Sequence, residues 1–580
     1  MQPTITNHHL THNLAYICAH KGMKQVIISP GSRSAPLTVA FARQPNIHVR
    51  IVVDERSAAF IALGLAQQTR QPVGLVCSSG TAPLNYGPAV AEAFYQQLPL
   101  ILMTADRPPE WIDQRDNQTS HQPRLFQNHV RASFELPVDV RHPDALWQAE
   151  RTLSEALNRA TWPFAGPVHI NIPLREPLYP APDVPFEPLP PPKIINQAPI
   201  EQRLSQTTWD TLLTDWRQRA KRLIIVGMQN PDPILADALA QLQQKQNAVI
   251  LADLTANLHQ DGQFIYQADL MLSLPHADIL APDLLITCGG PVISKQLKLF
   301  LRQHRPQIHW HVEVTDQAPD TYQSLTHHLS VESDYFFSQL LLGRTSPVVK
   351  NPVDAGRMSA RQSNYQHQWR QRYQTATNCL DQFLDEADFG EFTAMHHVLN
   401  ALPAPSRLQL GNSMPVRYAD LIGLAGQQIQ VNANRGTSGI DGCVSNAVGA
   451  ALATDQLTTL IVGDLAFFYD QNGLWHDYHP TNLRLIVMNN QGGGIFSLIN
   501  GPSNLPPSEL TNYFTTPHQR TVRQIATDYN CDYYYNDDEI SLIELLEQFF
   551  EPTSKPAILE IKTDRQVNIE VFEQYKRMSS

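Results

Sequence analysis

One pattern limits this chain more than any other: short apolar runs alternate with helical stretches, and the alternation restarts twice after polar or proline-containing breaks. In the first third, residues 26–29, 48–53, 73–78 and 100–104 have the length and β-branched content of buried strands. Between them, 57–68 and 89–97 carry apolar positions at three- and four-residue spacing, the period of a helix. Such alternation predicts a parallel sheet covered on both faces. Strand text returns at 222–226, 248–252, 284–288 and 309–314, and again at 407–410, 429–433, 459–462, 483–488 and 557–562. Ten prolines within 173–199 mark a linker or an arm crossing a surface, and a second polar break is expected near 344–364. At 580 residues the chain exceeds one hydrophobic core. The expected fold class is α/β, with three domains at 1–185, 186–345 and 346–580, each a largely parallel sheet flanked by helices.

A formal net charge of −12 argues against nucleic acid as a partner, because phosphate binding leaves a basic footprint. It leaves room for anionic small molecules, since a few arginines in one cleft suffice. The apolar runs fall well short of the ~20 residues of a membrane helix, so no membrane insertion is expected. The first residues are polar and histidine-rich, which predicts no secretory leader. Six cysteines without C-x-x-C spacing read as buried thiols of a reducing compartment, and a cytoplasmic location follows.

The most specific text is Gly463-Asp464, and then Asn490-Gln491-Gly492, each directly after an apolar strand. Ligands of open parallel sheets bind beyond the carboxyl ends of strands. Asp464 offers a hard oxygen, Asn490 a side-chain carbonyl, and Gly492 a backbone carbonyl where a side chain would obstruct approach. Magnesium prefers such a set, completed by phosphate oxygens and water, and manganese can replace it. Taken singly, each half also reads as a helix cap or a flexible loop. A dinucleotide site competes poorly, because the triple glycine lacks G-x-G-x-x-G spacing.

The two halves lie 26 positions apart, and together they resemble the cofactor motif of thiamine-diphosphate enzymes. That resemblance implies thiamine diphosphate held through a divalent metal on Asp464, Asn490 and Gly492, with Gly463 at the cofactor. It also implies one glutamate hydrogen-bonded to the aminopyrimidine. Glu55, within Val-Asp-Glu-Arg-Ser-Ala-Ala-Phe, resembles that residue. The family builds each site from two subunits, which implies at least a homodimer and leaves a homotetramer open. Ile440 is either the bulky residue that bends the cofactor or a core isoleucine. Ile495 and Phe496 are either a wall over the thiazolium or core.

Further segments resemble one branch of that superfamily: 28–34, 104–110, Asn117-Gln118, 411–413, 434–436 and 438–442. They are similar to the menaquinone-pathway synthases of 2-succinyl-5-enolpyruvyl-6-hydroxy-3-cyclohexene-1-carboxylate. The resemblance implies a decarboxylating carboligation of 2-oxoglutarate with isochorismate. Both substrates are dicarboxylates, and Arg33, Arg107, Lys295, Arg417 and Arg435 would bind them, with Ser32, Asn117, Gln118 and Ser413 as neutral partners. Arginine grips a carboxylate through two parallel bonds. One departure is Gln296, where some members carry arginine; Lys298 or Arg302 would have to replace that charge. The alternatives are an acetolactate-synthase-like enzyme, a 2-oxo-acid decarboxylase, or a cofactor-binding protein without catalysis.

Overall fold

The computed structural model describes residues 7–179, 191–343, 352–499 and 501–578. Among them the first sheet holds Gln25–Ile28 (β1), His48–Ile51 (β2), Val73–Cys77 (β3), Leu100–Asp106 (β4), Ala132–Glu135 (β5) and Val168–Pro173 (β6). Its order is β2-β1-β3-β4-β6-β5, and every pairing is parallel. The second sheet holds Arg222–Val226 (β7), Val249–Ala252 (β8), Leu284–Cys288 (β9), Ile308–Val312 (β10) and His327–Leu329 (β11), in the order β11-β10-β9-β7-β8. The third holds Ser406–Leu410 (β12), Ile429–Ala433 (β13), Thr458–Gly463 (β14), Leu483–Asn489 (β15), Asp532–Asn536 (β16) and Ala557–Lys562 (β17), in the order β13-β12-β14-β15-β17-β16. The fold class expected from the sequence is the one observed. Among the described residues no helix is long and apolar enough to cross a membrane.

The second expected break is corrected in part. From Pro352 the chain is helical, in the 35-residue helix Pro352–Glu386. Proline suits a first helical turn, whose N–H groups lack intrahelical partners. Tyr365 and Trp369 of this helix are buried, and the Tyr365 hydroxyl donates to Leu280 O at 2.8 Å, so one face packs on the middle sheet. Residues 344–351, the boundary at 345/346, the boundary at 185/186 and 180–190 of the proline-rich arm lie outside the described residues. The arm's described end lies on the first sheet's helices: Ile195 O accepts from Lys21 Nζ and from Asn158 Nδ2 (3.2 Å).

The sheets do not own separate cores. One buried cluster joins Leu75 and Ala58 of the first unit to Val448 and Val487 of the third. It forms where helix Glu55–Thr69 crosses helix Cys443–Leu452, buried without interruption over 57–67 and 443–451 respectively. Small residues allow the backbones to touch. A Cβ on Gly64 would lie 2.1 Å from Asn446 O, and one on Gly449 would lie 2.1 Å from Ile61 O. The middle unit covers the edge of β13, where the Asn257 side chain bonds both Val431 N (2.6 Å) and Val431 O (3.0 Å).

The obstructing atoms at Gly449 are backbone and cannot swing aside. Gly449→Ala should therefore cost about 3 kcal/mol in denaturant unfolding, the upper end for overpacking. Gly356→Ala, with nothing within 4 Å, should be neutral or stabilising. Equal effects of the two would remove the helix crossing as a docking constraint.

Candidate active site

Ligand crevices in such sheets open where strand order reverses, beyond the carboxyl ends. In the first sheet that point lies between β1 and β3, and in the third between β12 and β14. The loop after β1 carries Ser32 and Arg33 and presses on the loop after β3: a Cβ on Gly31 would lie 2.4 Å from Ser78 Cβ. Arg33 is buried, donates to Leu174 O at 2.9 Å and lies 3.5 Å from Glu176. Burial, and then the charge of Arg107, lower its pKa, which places the two arginines together. Arg107 Nη1 meets Asp116 Oδ2 at 2.7 Å. Its backbone is held by buried Asp106, which accepts Arg107 N at 2.7 Å and Asn171 Nδ2 at 2.9 Å; burial pushes that carboxyl up to about 6. Ser32, Asn117 and Gln118 are exposed on these loops, with Gln118 left-handed at φ 52° beside Gly80.

Glu55 follows β2. Asp54 caps its helix by accepting Arg56 N (2.9 Å) and Ser57 N (3.3 Å). Glu55 is half-buried and accepts Asn85 Nδ2 at 3.3 Å. Burial raises its pKa, against the lowering effect of its hydrogen bonds.

The loops after β14 and β15 bring Asp464, Asn490 and Gly492 together. Asp464 is buried and accepts Leu465 N at 2.6 Å and Gly492 N at 2.9 Å. Gly492 has φ 153°, and a Cβ there would lie 2.5 Å from Thr515 O, so glycine is required. Its carbonyl accepts Gly494 N at 3.0 Å and keeps a second lone pair. Asn490 donates to Glu391 Oε1 at 2.7 Å, and its own Oδ1 is buried without a hydrogen-bond partner. An orphaned oxygen beside a buried carboxylate is the environment a hard cation fits. Gly463 precedes Asp464 as the N-cap of its helix. Phe496 lies edge-on to Phe514 at 5.7 Å, Ile495 packs against the core, and Ile440 is 37% exposed in its loop, so it is not a core residue.

Sequence reading missed three groups here. His518 Nε2 lies 3.1 Å from Asp464 Oδ2. Glu391 is buried, and burial pushes its carboxyl up to about 8. Glu92 is buried and clamps the loop after β13, accepting Gly436 N (2.7 Å), Thr437 N (2.6 Å) and Thr437 Oγ1 (2.7 Å). All three lie outside the motif text.

Arg435 on that clamped loop reaches Asn412 Oδ1 at 3.3 Å, and Arg417 donates to Ser413 O. Ser413 itself sits at φ 76°. Burial, then Arg435, lower the pKa of Arg417, so these two cations also share a site. Lys295 opens its helix exposed, while Asp269 accepts from Ser294 Oγ and from Gln296 N (3.2 Å). Of the two replacements for the charge missing at Gln296, Lys298 donates to Val292 O at 2.7 Å, and burial, then the charge of Arg435, lower its pKa. Arg302 instead donates to Thr321 O at 2.9 Å.

Residues 8–130 match the family described as thiamine pyrophosphate enzyme, N-terminal TPP binding domain. Residues 192–410 match the middle domain of thiamine pyrophosphate enzymes. A relative from Cytophaga hutchinsonii, named 2-succinyl-5-enolpyruvyl-6-hydroxy-3-cyclohexene-1-carboxylate synthase, is 40% identical over 570 residues, 98% of each chain. Relatives of the same name from Flavobacterium johnsoniae and Desulfotalea psychrophila are 39% and 36% identical, covering 98% and 94% of this chain and 98% of each relative.

Glu92→Ala strands two backbone donors of the Arg435 loop and should destabilise the protein by about 1–3 kcal/mol. Urea unfolding would measure it. A cost within error of zero would show that the loop does not depend on this carboxylate.

Proposed function

The chain belongs to the family of 2-succinyl-5-enolpyruvyl-6-hydroxy-3-cyclohexene-1-carboxylate synthases, and on that premise we propose which of its residues carry the reaction. The enzyme is a thiamine-diphosphate-dependent transferase of menaquinone biosynthesis. It joins 2-oxoglutarate to isochorismate with loss of carbon dioxide. Thiamine diphosphate, when bound, supplies the carbon nucleophile. Glu55 holds a proton at N1′ of the aminopyrimidine, a task served by a carboxyl group whose pKa burial raises. Asp464, Asn490 and the Gly492 carbonyl hold magnesium, or manganese in its place, and Gly463 lies against the diphosphate. Ile440, Ile495 and Phe496 supply apolar contact that excludes water from the thiazolium.

Arg33 and Arg107, with Ser32, Asn117 and Gln118, form one cationic station for the dicarboxylates. Arg417, Arg435 and Lys295, with Ser413, form the other. Lys298 adds to the second the charge missing at Gln296. The observation that carries the assignment is the partnerless, buried Asn490 Oδ1 on the loop whose Gly492 N–H donates to Asp464.

The working unit is at least a homodimer. That reading rests on the family, whose members build each site from two subunits, so that Glu55 of one chain and Asp464 of another would serve one cofactor. Val53 near Glu55 and Tyr513 near the metal loop are 49% and 75% exposed, apolar surface that a second copy covers. A tetramer of such dimers is compatible with this arrangement. The domains run 1–185 for pyrimidine binding, 186–345 for the middle unit and 346–580 for diphosphate and metal. The enzyme works in the cytoplasm, with unpaired cysteines that are buried except for the half-buried Cys379.

The test is isochorismate consumption by purified protein with thiamine diphosphate and magnesium, comparing 2-oxoglutarate with pyruvate. Consumption with 2-oxoglutarate alone is expected. Turnover of pyruvate without isochorismate consumption would move the protein to the acetolactate-synthase or decarboxylase class.

A further inference from the structure

We infer that Glu391 is a positioning residue: it determines which end of the Asn490 side chain faces the cation. The inference rests on the proposed role of Asn490 as a ligand and adds a residue to it. A side-chain amide is nearly symmetric in shape, with an acceptor at one end and donors at the other. Only its partners decide which end points where. Glu391 Oε1 accepts Asn490 Nδ2 at 2.7 Å. Turning the amide over would set Oδ1 against that carboxylate oxygen, so Oδ1 is left at the other end, buried and without a hydrogen-bond partner. A proton carried on Oε2 leaves Oε1 an acceptor, and the orientation is kept in that form.

The surroundings are built around this pair. Glu391 opens helix Glu391–Ala401, is 4% exposed, and donates its N–H to Asn568 Oδ1 at 2.8 Å. Asn568 is held in turn by Thr563 Oγ1, at 2.9 Å. Two glycines leave the space. A Cβ on Gly494 would lie 2.6 Å from Asn490 Nδ2, and one on Gly390 would lie 2.7 Å from Asn568 Oδ1. Arg565 Nη2 contacts Asn490 O at 3.4 Å and also donates to Gln491 O, fixing the backbone under the amide. Partners that orient metal ligands typically change metal affinity 10–100-fold when removed.

The experiment measures Mn2+ affinity, from the electron paramagnetic resonance of free Mn2+, with thiamine diphosphate present. Wild type, Glu391→Gln, Glu391→Ala and Asn490→Ala are compared, each with its metal-free unfolding midpoint. Glu391→Ala should weaken Mn2+ about 10–100-fold. Glu391→Gln, whose Oε1 still accepts from Asn490, should stay close to wild type. If Glu391→Ala fails to fold, a second pair decides. Asn490→Asp sets a carboxylate against Glu391 and should bind weakly, and adding Glu391→Gln, which donates to it, should recover about tenfold. Wild-type affinity in Asn490→Ala would remove Asn490 from the metal site and the inference with it. Weak binding in Asn490→Ala with wild-type affinity in Glu391→Ala would overturn the inference alone. Equal losses in Glu391→Gln and Glu391→Ala would also overturn it, since Glu391 would then act as a charge or a direct ligand.

Discussion

The contact between helix Glu55–Thr69 and helix Cys443–Leu452 fixes how the two outer sheets of one chain sit against each other. The first begins with Glu55. The second lies between the loop of Arg435 and Ile440 and the strand that ends just before Asp464. Their approach at Gly64 and Gly449 is too close for any side chain, so the relation between the outer sheets is set by backbone. Buried amides extend the contact. Asn446 donates to Asn434 Oδ1 at 2.7 Å, and Gln409 donates to Gln67 at 3.2 Å. Asn412 then donates to Asn434 O and Gly439 O, each at 2.7 Å, so the network runs from the helix crossing to the loops that present Ile440 and Arg435. Buried polar groups specify a unique arrangement when they are satisfied, and most of these are.

An acidic protein that binds dicarboxylates must concentrate its cations and hold them still. Here carboxylates do that from behind. Asp106 fixes the backbone of Arg107, Glu92 the loop of Arg435, and Asp269 the turn into the helix of Lys295. None of them neutralises its arginine or lysine by a direct ion pair at the side chain. Burial, and then the neighbouring guanidinium of Arg107 or Arg435, lower the proton affinity of Arg33 and of Arg417. An anion entering the pair of Arg417 and Arg435 relieves that repulsion, whereas at Arg33 and Arg107 it competes with Glu176 and Asp116.

Much of this was legible in the sequence, for a physical reason. Strands buried on both faces, such as β3 and β4, must be continuously apolar, and periodicity finds them. The less apolar strands escaped. β11 has three residues, and β16 is half-exposed tyrosine. β6 places His169 and Asn171 in the core, where Thr104 meets them at 2.8 and 3.0 Å. The metal loop was readable because backbone approach demands glycine at fixed places, and Gly492 leaves no room for a Cβ. Glu391 and Glu92 were not readable. Each lies in ordinary helical text, far along the chain from the loop it serves, and only the packing of distant elements gives it a role.

If each site is built from two subunits as proposed, Glu55 of one chain and Asp464 of another serve the same cofactor. Glu55→Gln and Asp464→Ala each remove one half of every site, and acid–base contributions of about 10²–10⁴-fold make the first nearly inactive. Dissociating the two variants and reassociating them in equal amounts would make hybrid dimers half of a random two-fold population. One of the two sites in each hybrid would be intact, giving roughly a quarter of wild-type activity. Recovery to that level, measured as isochorismate consumption with 2-oxoglutarate, is the predicted result. Activity no higher than the sum of the separate variants would place both residues in a site made by one chain.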